Sequence, residues 1–176
     1  QLGAVWYGGT REGAKDVAVE FHSLSKTYCM TGWRCGFAAG NPEIIAGLAR
    51  VKTNVDSGLF QAIQYAGMTA MEDVSEEMEQ MLETFTARRN LVVDSLNSMG
   101  WKLEKPQGTF YVWAPVPDGM DCVQFVARVL EEAHVAVTPG TAFGAEEEVK
   151  RFFRISFTLN DKRLEEAMDR IRKLKF

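Results

Sequence analysis

The sequence predicts an α/β fold, and two observations lead to this prediction. Short apolar runs rich in Val, Phe and Ile alternate with longer segments whose apolar residues recur at helical spacing. Several of the longer segments begin with residues that cap helices, and glycines or prolines separate them. The chain has 176 residues, 46% hydrophobic and 25% charged. That length suffices for one domain, or for one domain and a piece of another.

The first part of the chain predicts two strands and two helices. The helix start at Asn41-Pro42 has a physical reason, because Asn caps a helix and Pro fits its first position. Residues 59–71 are apolar almost all round, which favours a buried helix. The expected elements are a buried strand at 17–22, a strand at 35–39, a helix from Pro42, a polar loop at 52–58 and the buried helix at 59–71.

A long helix comes next and predicts the domain boundary. Asp73 and Glu76 have capping-box spacing, and Gly100 is expected to end the helix. We therefore expect a first domain at 1–73 and a second, small α/β domain at 74–176 that includes this connecting helix. Beyond it, strands are expected at 110–114, 135–137 and 152–157, and helices from Asp121 with Gln124 and from Asn160 with Asp161.

Composition excludes several classes of protein. The net charge of −4 argues against nucleic acid as the main partner. No apolar run approaches the length that spans a membrane. Cys29, Cys35 and Cys122 form no CxxC pair, and metal sites cluster more ligands than these, so we expect no metal site. Such sparse cysteines fit a reducing compartment, and we expect a cytoplasmic protein.

The run EFHSLSKTYCMTGWRCG, at 20–36, carries the strongest chemical signal. The hydroxyls of Ser23 and Ser25, with the guanidinium of Arg34, suit a bound phosphate. Lys26 beside such a phosphate suits a Schiff base with pyridoxal 5′-phosphate (PLP). The alternative is a solvated lysine in a connection where Ser and Thr form turns.

This run resembles the signature of the class I/II (fold-type I) PLP-dependent aminotransferases. The resemblance implies that Lys26 forms the Schiff base and later moves a proton between substrate and cofactor. It implies that Ser23 and Arg34 hold the cofactor phosphate, with Ser25 a weaker candidate. The implied fold is PLP-dependent transferase-like (fold type I), with a partial large domain followed by the small C-terminal α/β domain.

A second signal is the predicted strand FFRISF at 152–157. Strand alternation places Phe153, Ile155 and Phe157 on one face and Arg154 on the other. The resemblance implies that Arg154 binds the α-carboxylate of the substrate, and the alternative is a surface arginine on an edge strand. The approach through 145–151 departs from the family, since it is longer and has no glycine. Segments 107–113 and 137–144 resemble parts of the family's small domain near the substrate, or serve only as strand and turn.

Residues 20–28 and 52–61 look most like LL-diaminopimelate aminotransferases. The implied function is transfer of an amino group between LL-diaminopimelate, or another amino acid, and a 2-oxo acid such as 2-oxoglutarate, by a homodimer. The loop at 54–58 either reaches the site of the neighbouring subunit or is an ordinary polar loop. Alternative functions are a PLP lyase or decarboxylase of the same fold, and a non-catalytic scaffold.

The resemblance corresponds only to the C-terminal part of such an enzyme. The family's acidic partner of the pyridine nitrogen and its ring-stacking aromatic residue are not recognised in the sequence. Without that acidic residue the cofactor ring accepts electrons poorly. We therefore expect the chain to be a fragment that, by itself, has little or no transaminase activity.

Overall fold

A computed structural model describes residues 12–72 and 75–174, and the fold is mixed α/β as predicted. Short 3₁₀ turns lie at Thr31–Trp33, Gly140–Ala142 and Glu147–Arg151. The helices are α1 (Ala14–Val17), α2 (Leu24–Thr27), α3 (Pro42–Val55), α4 (Gln61–Glu72), α5 (Ser75–Ser98), α6 (Cys122–Ala133) and α7 (Asp161–Arg172). The strands are β1 (Val19–Ser23), β2 (Gly36–Gly40), β3 (Tyr111–Pro115), β4 (Thr138–Pro139) and β5 (Phe152–Ser156).

The described residues divide into two compact units, with the division after Glu79. The first unit is described over 12–72 and 75–79, and the second over 80–174. Residues 73 and 74, where the sequence predicts the domain boundary, lie outside the described residues, and so does the expected capping residue Asp73. The domain division at 73/74 therefore stays a prediction.

The first unit is built on an antiparallel hairpin of β1 and β2, which pairs Val19 with Gly40 and Ser23 with Gly36. The prediction of a buried strand from residue 17 is wrong in two respects. Val17 belongs to α1, and Phe21 within β1 is 75% exposed. A ribbon of two strands leaves both of its faces open unless another layer packs on it. In this unit the described buried apolar cluster is small, comprising Leu24, Met30 and Ala70.

Helix α3 begins as predicted, because the side-chain oxygen of Asn41 accepts the N–H groups of Glu43 at 2.9 Å and Ile44 at 3.0 Å. It continues to Val55, so the predicted loop at 52–58 starts only at Asp56. Lys52 forms an ion pair with Asp56 one turn further on, which favours this last helical turn.

Helix α4 forms where a helix is predicted, but the prediction that it is buried is wrong. Tyr65 is 60% exposed, and the buried residues of α4 are Gly67 and Ala70. An exposed apolar stripe also runs along α3 at helical spacing and consists of Ile44, Leu48, Val51 and Val55.

The second unit contains an antiparallel sheet in the order β3-β5-β4. Strand β5 alternates as predicted, with Phe153 and Ile155 buried and Arg154 on the opposite face. Helices α5, α6 and α7 contribute further large buried side chains to this unit's core. These include Val92, Val93, Leu96, Phe125, Val129, Leu164, Met168 and Ile171.

The predicted strand at 135–137 is wrong, since β4 covers only Thr138–Pro139. His134 ends α6 in the left-handed conformation, with φ of 55°. The amide of Val135 then donates to the carbonyl of Val129 at 3.4 Å, which closes the helix end. That amide is consequently not available to a strand ladder, although Val135 and Val137 still pack against the core.

The predicted caps of this unit are confirmed. Asp121 accepts the N–H groups of Val123 at 2.8 Å and Gln124 at 2.9 Å, and Gln124 accepts the Asp121 amide at 3.2 Å. Asn160 accepts the N–H of Arg163 at 3.0 Å and so begins α7. Helix α5 ends just before Gly100, whose φ of 108° favours glycine. Among the described helices, none is long and apolar enough to cross a membrane.

Gly140 gives a stability prediction, because the turn Gly140–Ala142 packs closely against Glu147–Arg151. A Cβ added at Gly140 would overlap the carbonyl oxygen of Val149 and lie 2.7 Å from that of Phe152. We expect Gly140→Ala to lower the free energy of unfolding by about 1–3 kcal/mol, measured by urea denaturation. Gly108→Ala is the control, since its Cβ would meet nothing within 4 Å. Equal stability of the two variants would show that the turn moves without cost.

Candidate active site

The Lys26 loop begins where β1 ends, in the first unit. Ser23 is the last residue of β1 and caps α2, its Oγ accepting the N–H of Ser25 at 3.2 Å. Leu24 is buried and belongs to the small apolar cluster of this unit. The one-turn helix α2 is therefore fixed on the side of Leu24, while the side chain of Lys26 is exposed.

Arg34 lies at the other end of the same loop, in the left-handed conformation with φ of 53°. Its Nη1 donates to the carbonyl of Thr31 at 3.0 Å, and the Thr31 hydroxyl donates to the carbonyl of Ser25 at 3.0 Å. Thr31 thus connects Arg34 to the backbone of the segment that carries Lys26. Sequence reasoning did not assign this role to Thr31, because nothing in the local pattern shows a bond across six residues.

The hairpin brings the two ends of this loop together. Ser23 pairs with Gly36. The amide of Leu24 donates to the carbonyl of Cys35, the residue that follows Arg34, at 3.1 Å. A side chain at Gly36 would place its Cβ 2.5 Å from the carbonyl oxygen of His22, so glycine permits the close approach. The structure therefore groups Ser23, Ser25, Lys26 and Arg34 in one loop between β1 and β2.

The donor set of this loop fits a phosphorylated aldehyde. The Ser23 oxygen serves the cap as an acceptor, so its O–H is still able to donate to a phosphate. Ser25 is mostly buried, whereas Arg34 is exposed and carries a planar fork that suits phosphate oxygens. A primary amine at Lys26 supplies the group that reacts with an aldehyde. The residues present are thus chemically suited to PLP.

A second candidate group lies in the second unit, around Arg154. Its guanidinium carbon lies over the rings of Tyr111 and Phe143, 4.1 Å and 4.4 Å from their centres. The Arg154 Nε is buried without a hydrogen-bond partner, and the residue makes no ion pair with any residue that the structure describes. The edge-strand alternative for Arg154 is wrong, since β5 lies between β3 and β4.

Sequence reasoning missed Tyr111 and Phe143 as neighbours of Arg154. The pairing of Trp113 with Arg154 places the odd-numbered residues of β3, Tyr111 included, on the face of Arg154. The alternation of side chains along segment 107–113 indicates that Tyr111 and Trp113 share a face, and the strand pairing then places Tyr111 beside Arg154. Phe143 follows a 3₁₀ turn, where no periodicity indicates the direction of a side chain.

The 54–58 segment has its own hydrogen bonds in the first unit. The Asp56 carboxylate accepts from Lys52 Nζ and from the amide of Gly58, the latter at 2.9 Å. Both hydrogen bonds lower the pKa of Asp56 below its ordinary value, and the bond from Lys52 has the larger effect. The carboxylate is therefore charged at neutral pH. The possible reach of this segment to a neighbouring subunit stays a prediction.

In the part of the chain that the structure describes, no group of three or more His, Cys, Asp or Glu residues is arranged to hold a metal ion.

Comparisons with known proteins agree with this chemistry. A family model described as aminotransferase class I and II matches residues 7–171. The LL-diaminopimelate aminotransferase of Desulforudis audaxviator is 51% identical over 160 residues, covering 91% of the chain and 40% of that relative. That of Nitratidesulfovibrio vulgaris is 52% identical over 162 residues, covering 92% and 41%. The chain thus spans about two fifths of the length of the curated relatives it matches.

Solved structures lead to the same family. Apo-BacF from Bacillus subtilis superposes with a TM-score of 0.85 at 40% identity, covering 94% of the chain and 42% of BacF. An aromatic aminotransferase from Pyrococcus horikoshii gives a TM-score of 0.85 at 34% identity, covering 93% and 44%. The resemblance of the Lys26 run and the fold class are confirmed. The chain belongs to the class I and II aminotransferases, whose enzymes use pyridoxal 5′-phosphate.

Proposed function

We propose that this chain carries the PLP-bearing loop of an aminotransferase that moves an amino group between LL-diaminopimelate and a 2-oxo acid such as 2-oxoglutarate. The observation that carries the proposal is the grouping of Ser23, Ser25, Lys26 and Arg34 in one hairpin loop. The identity of about half of the aligned residues to LL-diaminopimelate aminotransferases supports the choice of substrate.

The residues of the loop have separate tasks. The cofactor, when bound, supplies an electron-accepting ring and an aldehyde that reacts with amines. Arg34 and Ser23 bind its phosphate, with Ser25 in a supporting position, and this orients the ring relative to Lys26. Lys26 Nζ would serve as the base that takes a proton from the substrate α-carbon and as the acid that delivers it to the carbon of the cofactor's aldehyde group.

Arg154 is the group proposed to bind the substrate α-carboxylate. Its guanidinium contacts the rings of Tyr111 and Phe143 and has no ion pair with a described carboxylate, so no described residue competes there with a ligand carboxylate. A planar guanidinium binds both oxygens of a carboxylate, which fixes the orientation as well as the charge of the substrate.

Two further features concern assembly and location. We propose that a second copy of the chain completes a homodimer, and the exposed apolar stripe of α3 supports an interface of some kind. The cysteines Cys29, Cys35 and Cys122 form no disulfide with one another. Reduced cysteines fit a reducing compartment, which supports a cytoplasmic protein.

The assignment of Lys26 has a direct chemical test. We expect incubation with PLP followed by borohydride reduction to leave a stable label on the Lys26 peptide, located by mass spectrometry. Lys26→Arg should abolish that label, because a guanidinium does not condense with the aldehyde under these conditions. Lys15→Arg, at another exposed lysine of the same unit, should retain it. A label spread evenly over the lysines would argue against a built cofactor site.

The assignment of Arg34 is tested by comparing two ligands. Hydrogen bonds to charged groups contribute about 1.5–3 kcal/mol, so Arg34→Ala should weaken PLP binding by about 10- to 100-fold. Binding of pyridoxal, which lacks the phosphate, should be nearly unchanged. Arg50→Ala removes an exposed arginine from α3 and serves as the control. Equal losses for both ligands would mean that Arg34 supports the loop rather than the phosphate.

The reaction itself is tested with the complete product of the gene that encodes this sequence. We expect it to form glutamate from LL-diaminopimelate and 2-oxoglutarate when PLP is present. Release of CO₂ without glutamate would indicate a decarboxylase instead. The 176-residue chain alone is expected to show little or no turnover. Substantial turnover by that chain, with longer forms excluded by intact mass, would contradict this expectation.

A further inference from the structure

In the second unit, aromatic rings lie against the guanidinium of Arg154, on the face of the sheet opposite the core. We call Tyr111 and Phe143 the aromatic clamp, because the guanidinium carbon of Arg154 lies over both rings at 4.1 Å and 4.4 Å. Both distances are well inside the 6 Å or so at which a cation interacts with a ring face. The guanidinium of Arg154 therefore makes close cation–π contacts with both rings of the clamp.

The clamp is itself supported by further rings. The Phe143 ring meets Trp113 edge to face with 5.5 Å between centres, and Trp113 stacks on Phe152 at 5.6 Å. On the other side, the Tyr111 ring lies 4.5 Å from that of Phe110. Strand pairing places Trp113 directly opposite Arg154. The positions of the two clamp rings are thus fixed by β3, β5 and their aromatic neighbours.

The electrostatics of this arrangement differ from those of an ion pair. A half-buried arginine usually needs a carboxylate, which would neutralise it and compete with any anionic ligand. Ring faces attract the cation through their quadrupole and leave its net charge unchanged. Because Arg154 has no ion pair with a described residue, the rings stabilise a cation that keeps its affinity for an anion.

The nitrogen atoms of Arg154 are not equivalent. Its Nε is buried and has no hydrogen-bond partner among the residues that the structure describes, whereas neither Nη atom is a buried atom that lacks a partner. A ligand carboxylate is therefore expected to approach the Nη edge of the guanidinium. Rings over the guanidinium limit its rotation and hold that edge in place, which lowers the entropy lost when the carboxylate binds.

We propose that Tyr111 and Phe143 are positioning residues, which hold the guanidinium of Arg154 by its contacts with their rings and present its Nη edge to the substrate carboxylate. This inference rests on the proposed function of Arg154. It adds two residues that touch Arg154 rather than the reacting atoms, and it explains how a partly buried cation is held without a carboxylate among the described residues.

The first experiment observes the clamp itself, by NMR of the arginine side chains in the 176-residue chain. We expect ring currents to move the Arg154 Hε resonance upfield, and Arg154→Lys identifies that resonance by its loss. Tyr111→Leu and Phe143→Leu should move it back toward the ordinary position. Tyr111→Phe and Phe143→Tyr keep a ring and should retain the shift. An unshifted Hε in the unmodified chain would overturn the proposal.

The second experiment measures function, in the complete gene product loaded with PLP. Each Leu variant should raise KM for LL-diaminopimelate by about 3- to 30-fold, while kcat changes little. The ring-retaining variants should restore KM. Two variants at sites of different burial keep the test valid if one fails to fold, since Phe143 is 48% exposed. Thermal unfolding of each variant separates loss of positioning from loss of stability.

The outcomes distinguish this inference from the function on which it rests. If Arg154→Lys raises KM strongly and the Leu variants do not, Arg154 binds the carboxylate without help from the rings and the proposal is overturned. If Arg154→Lys leaves KM unchanged, the proposed role of Arg154 fails and the positioning role fails with it. Equal changes in the Leu and ring-retaining variants would also overturn the proposal, because they would trace to packing alone.

Discussion

The position of β5 between β3 and β4 is the constraint on which the second unit depends. The same two-residue period that directs Phe153 and Ile155 into the core directs Arg154 to the opposite face. Core and candidate site are therefore set by one register. A shift of β5 by one residue would turn the guanidinium of Arg154 toward the core and the ring of Phe153 away from it, so the site and the core would be lost together.

The two candidate groups hold their cations by different means. In the Lys26 loop, hydrogen bonds through Thr31 and the Ser23 cap fix the backbone while the charged side chains reach solvent. Around Arg154, ring faces hold the charged group itself. The first arrangement is consistent with the phosphate site proposed above, and the second with the proposed carboxylate site.

The helix caps could be predicted from the sequence, but the burial of whole strands and helices by distant parts of the chain could not. The caps at Asn41, Asp121 and Asn160 depend on residues within a few positions, and each forms as predicted. The burial predicted for the strand at 17–22 and the helix at 59–71 failed, because burial depends on what lies against an element as well as on its composition. Phe143 could not be assigned to Arg154, since a 3₁₀ turn has no periodicity that reveals a contact eleven residues away.

The Ser23 cap links local folding to ligand affinity. Its oxygen accepts the amide of Ser25, and its proton is left for an anion, so the two hydrogen bonds polarise one another through a single hydroxyl. An anion that accepts this proton would strengthen the cap, and by thermodynamic reciprocity the formed helical turn would strengthen the anion's binding by the same factor. Substitutions that loosen α2 without touching the ligand would then reduce cofactor affinity, at a distance from the phosphate.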